Sequence, residues 1–456
     1  MTERKKLILN LFEMNTVSHI THGLWALPGN NRERYADIGY WTELAELLED
    51  GGFDGVFLAD VIGAYDVFGG DFSAAAEEGL QLPSNDPLLV VPVMAAATRH
   101  LGFGVTFATT YEPPFPFARR MSTLDHLTNG RIGWNIVTSY LPNAARNFGL
   151  RDEIPHDERY AIAHEFLDVV YKLWEGSWDD DAIVADRDTG VFADPTKVRY
   201  INHEGPRHSV AGPHLAAPSR QRTPVLYQAT GSPAGVAFAG KHAEVVFTGG
   251  RTADDFRRTA GAIREAAHTE GRGEDAVRFL VQAGVVVGRT EEEASDKWRL
   301  YQERTSVRGI LAHASSPIDL TAYPREWTVE RAAAAAGVPS TTIPYANPKS
   351  TVGEALDALR GGREGRFFVA GTPSVVADEI ERWLDEDGVD GINLRQYHSF
   401  DTARDFAELV VPELRKRGRI LERPAEPRSL RDVLFGAGDR IPEAHTAARY
   451  RGGANL

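Results

Sequence analysis

Short apolar runs of β-strand type alternate with amphipathic stretches of helical period along this chain, and this alternation restricts the possible folds more than any other feature. Helical stretches such as residues 253–267 and 377–387 separate the runs. Eight strands that alternate with helices favour a parallel sheet closed into a (β/α)8 TIM barrel over an open doubly wound sheet, so the predicted class is α/β. The predicted strands are KLILNLF (6–12), GFDGVFLAD (52–60), LGFGVTFATT (101–110), RIGWNIVTS (131–139), the run that begins at Thr223, AEVVFTGG (243–250), VRFLVQAGVVVG (277–288) and DGINLRQY (390–397).

The chain is predicted to form one domain with insertions. Its 456 residues contain no sharp linker, no low-complexity tract and no repeat beyond the strand–helix alternation. We predict one barrel over residues 1–418, enlarged by insertions at about 140–156, 176–222 and 289–365. Residues 419–456 are predicted to form a C-terminal arm, which could cross to a second subunit.

Two of the predicted strands have one bulky face and one small face. In the strand at 101–110, phenylalanine and valine project to one side, while glycine, threonine and alanine project to the other. The strand at 131–139 repeats this pattern, with Asn135 on its small face. The bulky faces can pack on helices, whereas the small, partly polar faces border an interior that has room in it.

Composition and charge exclude several kinds of protein. The chain has 50 basic and 65 acidic residues, and its formal net charge of −15 argues against a general affinity for nucleic acid or an anionic membrane. The absence of cysteine excludes disulfides, thiolate metal sites and cysteine nucleophiles. His19 and His22 have no third ligand at suitable spacing, so no metal site is predicted. The N-terminus resembles a first strand more than a signal peptide and no run is long enough to span a membrane, so we expect a cytoplasmic protein.

In a barrel of this kind, the chemistry gathers at the carboxyl ends of the strands. The second strand ends at Asp60, the third contains Thr106 and the fourth contains Asn135. Asp60 could alternatively cap a loop, and Thr106 and Asn135 could bond to side chains of neighbouring strands, since buried amides and hydroxyls need partners. These are mostly small hydrogen-bonding groups rather than a cluster of carboxylates and histidines. Such an opening suits a large planar polar ligand held by many amide and hydroxyl contacts.

Two further segments suit a phosphate. Thr230, Gly231 and Ser232 follow the fifth strand, and with Ser232 as helix N-cap and Pro233 in the first turn, the amides of this turn can point outward at the positive end of a helix. In HDERY (156–160), the first and last residues share a helix face and can offer an imidazole and a phenol to a phosphate or a ring edge. The alternatives are an ordinary capped connection at the turn, and a capping histidine with a half-buried tyrosine in HDERY.

Motifs over nearly the whole chain resemble one known family. They are similar to the two-component, flavin-dependent monooxygenases of the bacterial-luciferase-like superfamily, in the group of nitrilotriacetate, dibenzothiophene-sulfone and long-chain alkane monooxygenases. The alkane branch looks nearest, through NLFEMN (10–15), HGLW (22–25), YWTELAELLE (40–49), MSTLDHLTNGRIGWNIVTS (121–139) and the closing AARYR (447–451). The motifs shared with the wider group also include FDGVFLAD (53–60), TFATTYEPPFPFARRMSTLDHLTNGRIGWNIVTS (106–139), ARNFG (145–149), HDERY (156–160), YKLWEGSW (171–178), ADPTKV (193–198), GPHLAAPSRQRTPVLYQATGSPAG (212–235) and VVPELRKRG (410–418).

This resemblance implies a (β/α)8 barrel and an enzyme that takes reduced FMN from a separate NAD(P)H:flavin reductase and uses O2 to oxygenate a small organic substrate. It also implies a homodimer or homotetramer. The protein would shield the oxygenated flavin from water and hold the substrate against it. The site residues that the resemblance implies are Asp60, Thr106 and Asn135 at the flavin ring and ribityl chain, Tyr160, Thr230, Gly231 and Ser232 at the phosphate, and His156, Tyr140 and His313 at the flavin peroxide or the substrate.

Some positions depart from the family pattern. The alkane branch has a cysteine at the position of Thr16 and a histidine at that of Tyr140, whereas the histidine matching His313 is present. The usual glycine after Gln-Ala is Thr230 here, which slightly alters the phosphate turn. Alkane-like, sulfone-like and amine-polycarboxylate substrates therefore stay open. Two alternative functions also stay open: a deazaflavin-dependent oxidoreductase, whose members generally lack the HDERY and ARNFG insertions, and a non-catalytic flavin-binding barrel.

Overall fold

Eight parallel strands form a closed barrel at the centre of the computed structural model, which describes residues 4–249, 252–361, 365 and 367–456. Each strand pairs with the next along the chain, and the eighth pairs with the first. The predicted (β/α)8 barrel is confirmed. Residues 1–3, 250–251, 362–364 and 366 of the predicted barrel lie outside the described residues; they include 250 of the predicted sixth strand and 362–364 of the third insertion. The barrel strands are β1 (Ile8–Met14), β2 (Gly55–Ala59), β3 (Gly102–Ala108), β4 (Ile132–Val137), β5 (Val225–Ala229), β6 (Val245–Phe247), β7 (Arg278–Val287) and β8 (Gly391–Arg395).

Helices connect the strands and cover the outside of the barrel. Wider, π-helical turns extend two of them, at residues 172–176 and 383–387, and join two others at 406–410. The α-helices are α1 (Ile38–Asp50), α2 (Ser73–Glu77), α3 (Val91–Ala96), α4 (Pro114–Leu127), α5 (Pro142–Asn147), α6 (His156–Tyr171), α7 (Pro233–His242), α8 (Ala253–Thr269), α9 (Glu291–Arg304), α10 (Val307–His313), α11 (Val329–Ala336), α12 (Val352–Gly361), α13 (Pro373–Arg382), α14 (Asp401–Asp405), α15 (Val411–Lys416) and α16 (Leu430–Phe435).

The two faces of β3 and β4 pack as their residue sizes predict. The rings of Phe107 and Phe117 of α4 stack with centroids 4.2 Å apart, and Trp134 lies 4.5 Å from Phe117 in the same outer layer. On the inner face, a Cβ at Gly133 would lie 2.4 Å from the Tyr227 ring. Glycine at this position therefore lets a large aromatic side chain fill the barrel interior.

Two regions contain strands that the sequence did not predict. The insertion at 176–222 contains the antiparallel pairs Ile183–Asp186 with Val191–Ala193 and His203–Glu204 with Ser209–Val210. A further short strand, Phe368–Gly371, pairs with the second half of β7. It forms because β7 has ten residues and pairs with β8 only through its first half, which leaves its second half free to accept another neighbour.

A second apolar cluster covers the carboxyl ends of the strands. Side chains of α10, α11 and α12 pack there against the segment 61–82, which follows β2, and against Leu141 and Ala144, which follow β4. We call residues 307–359 the cap. Within the described residues, no helix combines the length and the apolar character needed to cross a bilayer.

The C-terminal residues close the opposite end of the barrel. Leu430 and Leu434 of α16 pack against Ile8 of β1 and other apolar residues at the starts of the strands. A Cβ at Gly102 would lie 2.5 Å from Leu430 Cδ1, so glycine at the start of β3 allows this close approach. The predicted arm at 419–456 thus packs against its own barrel.

Candidate functional site

A cavity of about 850 Å³ opens at the carboxyl ends of β2, β3, β4 and β5. This volume lies towards the upper end of the range of about 300–1,000 Å³ that is common for ligand sites. Segment 61–64, α5 and the start of α6 complete its wall. The cavity therefore occupies the end of the barrel at which chemistry is expected, and it has room for a nucleotide-sized ligand together with a smaller molecule.

Five of the predicted site residues line this cavity, and Asn135 lies just behind it. Asn135 is beside Thr106 in the strand register and donates its amide Nδ2 to Thr106 Oγ1 over 3.0 Å. The predicted alternative, hydrogen bonding between side chains of neighbouring strands, thus accounts for one of the hydrogen bonds that the Asn135 amide can form. The lining residues from the prediction are Asp60, Thr106, Tyr140, His156 and Tyr160.

The predicted phosphate turn begins α7 as its sequence implies. Ser232 is the N-cap, its Oγ accepts from the Gly235 amide over 3.1 Å, and Pro233 occupies the first turn. His156 Nε2 lies 3.5 Å from Ser232 Oγ, so the start of α6 meets the start of α7. A Cβ at Gly235 would lie 1.8 Å from Thr230 Oγ1 and 2.7 Å from the Tyr160 hydroxyl. Glycine at 235 therefore lets both hydroxyls approach the positive end of a ten-residue helix, where an anion is favoured.

Asp60 lies at the end of β2 with part of its surface facing the cavity. Burial raises the pKa of its carboxyl to about 8, and the nearby Asp86 carboxylate adds to this shift. Because removal from water disfavours the charged form, the Asp60 carboxyl is mostly protonated at neutral pH. A neutral carboxyl can donate a hydrogen bond to a ligand as well as accept one.

Tyr140 belongs to a hydrogen-bonded group that reaches into the cap. Its phenol bonds to the phenol of the buried Tyr65, and burial raises the pKa of both hydroxyls. The Tyr65 ring meets the edge of the His313 ring, with centroids 4.9 Å apart. Gln81 Nε2 lies 3.5 Å from His313 Nε2, and His22 Nε2 lies 3.1 Å from His313 Nδ1. His313, at the end of α10, is therefore linked to the cavity through neighbouring side chains rather than by lining it.

Sequence reasoning missed several residues at this site. The guanidinium of Arg159, a neighbour of Tyr160 on α6, donates to the Ser139 carbonyl, directly before Tyr140. Ser139 has φ 55°, an uncommon conformation for a residue other than glycine. Gln228 of β5 also lines the cavity. The position of Arg159 inside the HDERY motif was the one available signal for it, whereas Tyr65 and Gln81 lay in a segment without a recognisable pattern.

Buried polar atoms without a protein partner lie around the cavity. Among the described residues, these atoms include Asn135 Oδ1, Gln228 Oε1 and Thr230 Oγ1. Such atoms are costly unless a ligand or water satisfies them. The ring edge of FMN carries N–H and carbonyl groups and its ribityl chain carries hydroxyls, so neutral donors and acceptors beside a helix N-terminus fit this group. Within the described part of the chain, no group of three or more metal-ligating side chains is placed to hold a metal ion.

Comparison with known proteins gives consistent results over the whole chain. Residues 16–391 match the family model described as luciferase-like monooxygenase. The chain is 48% identical to a long-chain alkane monooxygenase of Geobacillus thermodenitrificans, over 98% of both proteins. It is 42% identical to a dimethyl-sulfide monooxygenase of Hyphomicrobium sulfonivorans, over 98% of this chain and 94% of the relative. A crystal structure of a riboflavin lyase with modified FMN and riboflavin is 35% identical, with a TM-score of 0.87, over 98% of this chain and all of the other.

Proposed function

Because the chain belongs to the luciferase-like monooxygenase family and is a monooxygenase, we propose that it takes reduced FMN from a separate NAD(P)H:flavin reductase and uses O2 to oxygenate a small organic substrate. When bound, reduced FMN supplies the two electrons of the reaction, in which one oxygen atom enters the substrate and the other leaves as water. One observation carries this proposal. A helix N-terminus and several unsatisfied neutral polar atoms lie beside one cavity at the strand ends, whose lining includes Gln228, Tyr160 and His156 but not residues 230–232 themselves.

The start of α7 is the proposed phosphate site. Ser232, Gly231 and Thr230 precede the helix, and the Tyr160 hydroxyl and His156 face them from α6. Hydroxyls and amides at a helix N-terminus can bind a phosphate without a large basic cluster, because the helix dipole favours negative charge there. This agrees with the acidic composition of the chain.

Thr106, Asn135 and Asp60 are the proposed contacts to the ring and the ribityl chain. The Asn135–Thr106 hydrogen bond fixes both side chains, and it leaves Asn135 Oδ1 buried and unsatisfied for a donor on the ligand. Asp60, kept mostly neutral by burial, can donate to a carbonyl or ring nitrogen. The three side chains therefore orient the ring while adding little charge beside it.

The cap is proposed to exclude water from the reacting end of the cavity. Its apolar cluster includes Leu141 and Ala144, which lie in the cavity wall next to Tyr140. Excluding water prevents loss of the activated oxygen before it reaches the substrate. Tyr140 and His313, joined through Tyr65, are the proposed polar groups on that side, and Tyr140 can hold a proton at its phenol oxygen throughout the ordinary pH range. The cytoplasmic location and the homodimeric or homotetrameric state are further proposals that rest on the resemblance.

An anaerobic titration with photoreduced FMN tests the site. We expect Tyr160→Phe and Asp60→Ala to weaken the affinity for reduced FMN, by about 10-fold or more for Tyr160→Phe because a hydrogen bond to a charged phosphate is worth roughly 1.5–3 kcal/mol. Tyr200→Phe is the matched control, since Tyr200 is 63% exposed and lies outside the cavity. If both site variants bind as the wild type does, the residue assignment is wrong.

Isotopically labelled O2 tests the reaction itself. The protein loaded with reduced FMN is mixed with labelled O2 and candidate substrates, and the product is analysed by mass spectrometry. The proposed function predicts one labelled oxygen atom in each product molecule. A protein that binds no reduced FMN, or that releases only hydrogen peroxide with every candidate, would refute the function and favour a flavin-binding barrel without catalysis.

A further inference from the structure

Residues of two different apolar clusters form the two ends of the cavity. Tyr160 and Phe238, at the end beside α7, pack on the main barrel core. The other end belongs to the apolar cluster under the cap. The cavity residues at this end are Val61, Ile62, Leu82, Tyr111, Leu141 and Ala144. If FMN binds with its phosphate at α7, as proposed above, this second end is left for the substrate.

One arginine reaches the cap end of the described lining, and its charge is already paired. Within the part of the lining that the structure describes, Arg159 is the one arginine or lysine. Its Nη1 donates to the Ser139 carbonyl and lies 3.4 Å from Glu153 Oε2. The guanidinium therefore lies on the cap side of the cavity, beside Tyr140 and close enough to Tyr111 to affect its pKa, and the Glu153 carboxylate pairs its charge.

Acidic side chains outnumber the single arginine in the described cavity lining. Asp86 and Glu112 line the cavity together with Asp60. Glu112 is held at the wall by Arg120 over 2.8 Å, and Asp86 caps the short helical turn at 87–89. A carboxylate brought to the cap end would thus lose its water, meet carboxyl groups and find the one guanidinium already paired with Glu153. Burial of an unpaired charge is among the most unfavourable events in a binding site.

The polar group at the cap end is a neutral donor. Among the described residues, Gln81 Oε1 has no partner, whereas Gln81 donates through Nε2 to the Tyr65 oxygen. Tyr65 can then give its own proton to Tyr140, which leaves the Tyr140 O–H directed at whatever occupies the cavity. A phenol donor suits a neutral substrate atom with lone pairs, and it does not compensate a full negative charge.

From this distribution of apolar wall, paired charge and phenol donor, we propose that the substrate is a small, neutral, largely apolar molecule and that anionic substrates such as amine polycarboxylates are excluded. The inference rests on the proposed function, because the flavin must occupy the end beside α7. It selects among the substrate classes that the sequence left open. Hydrocarbons, sulfides and sulfones all fit this class, with Tyr140 donating to the sulfur or oxygen atom where one is present.

Matched pairs of compounds test the inference. The protein loaded with reduced FMN is titrated without oxygen with a dialkyl sulfide, a dialkyl sulfone and an alkane, and with the same molecules ending in a carboxylate, while flavin fluorescence reports binding. We expect the neutral member to bind roughly 100-fold more tightly in each pair, a difference of about 2.8 kcal/mol, since burying an unpaired charge costs more than burying an unsatisfied neutral group. A carboxylate that binds as tightly as its neutral partner, or binding of no neutral compound, overturns the inference. Flavin loading, measured first, reports on the proposed function separately.

Phe148→Arg provides a gain-of-function test at the same end. Phe148 is 41% exposed at the cavity wall and stacks on Tyr111 with centroids 4.8 Å apart and planes 6° from parallel. A guanidinium can stack on the same ring, so the fold should tolerate the change. We expect Phe148→Arg to lower the ratio of the carboxylate's Kd to the neutral partner's Kd by at least 10-fold. Phe148→Gln, the uncharged control, should leave this ratio near that of the wild type. An unchanged ratio in folded, flavin-loaded Phe148→Arg would overturn the inference.

Discussion

Replacing Gly235 with alanine puts one methyl group into the contact between α6 and α7. The added Cβ would lie 1.8 Å from Thr230 Oγ1, so that hydroxyl must retreat by about 1.2 Å to restore a separation of 3.0 Å. The Tyr160 hydroxyl, 2.7 Å away, must move by a smaller amount. Both are proposed phosphate contacts, and the substitution therefore perturbs the phosphate site without removing either of them.

Two opposing terms set the effect on stability. Overpacking a well-packed site costs about 1–3 kcal/mol. Alanine in a helix gains about 0.5–1 kcal/mol over glycine because it restricts the unfolded chain more. The net loss of stability is therefore expected to lie between roughly 0 and 2.5 kcal/mol, so the variant should fold. The affinity for reduced FMN should fall by roughly 10- to 100-fold if one contact to the charged phosphate is lost.

The assay is an anaerobic titration of reduced FMN together with urea unfolding of the protein without flavin. Gly261→Ala is the matched control, because Gly261 lies within α8 and its added Cβ would meet nothing within 4 Å. This control should be more stable than the wild type by about 0.5–1 kcal/mol and should bind FMN with unchanged affinity. Gly235→Ala with the FMN affinity of the wild type would refute the argument that Thr230 and Tyr160 bind the phosphate through this contact.

Three further substitutions have defined outcomes. Asp60→Asn should become progressively more stable than the wild type as pH rises from about 4 to about 8, because native Asp60 keeps its proton in this range while the unfolded chain loses it. If the free energies of unfolding of the two proteins change with pH in the same way, the raised pKa is excluded. Tyr140→His should add an inflection near pH 6.5 to the pH profile of kcat/KM, because an imidazole titrates there whereas burial raises the pKa of the Tyr140 phenol above its usual value. Identical pH profiles of the two proteins would argue against a polar role for this position. Arg431→Ala should lower the free energy of unfolding in urea by about 3–5 kcal/mol, because it leaves Glu244 buried without its partner at 2.7 Å. Arg299→Ala, which breaks an exposed pair with Asp296, should lower it by less than about 1 kcal/mol. Equal losses in these two variants would contradict the role given to burial.

The barrel could be predicted from the sequence because its strands are marked by local patterns. Alternation of bulky and small residues in β3 and β4 identified both the strands and the faces that pack on helices. The N-cap at Ser232 and the shared face of His156 and Tyr160 are also local, since their partners lie within one helical turn. The hairpins of the insertion at 176–222 were missed because each strand has only two to four residues, which is too short for a clear period.

Contacts between distant residues could not be predicted in this way. His22 and His313 are 291 residues apart, and nothing in either segment indicates that their rings bond. The bond from Arg159 to the carbonyl before Tyr140 depends on how β4 and α6 are placed, and the pairing of Arg431 with Glu244 depends on closure of the barrel. The resemblance to a known family supplied His313 and Tyr140 as site residues, whereas Arg159 was named only inside the HDERY motif and its contact with Ser139 came from the geometry.

The segment that closes the lower end of the barrel lies more than 400 residues from the first strand it touches. Leu430 and Leu434 belong to one apolar cluster with Ile8, Val225 and Val245, which lie at the starts of three different strands. During synthesis on the ribosome, these strand starts emerge long before the residues that shield them from water. The nascent barrel therefore keeps an apolar opening exposed until residues 430–434 have been synthesised, and a chain that stops before Leu430 would expose this apolar surface to chaperones and proteases.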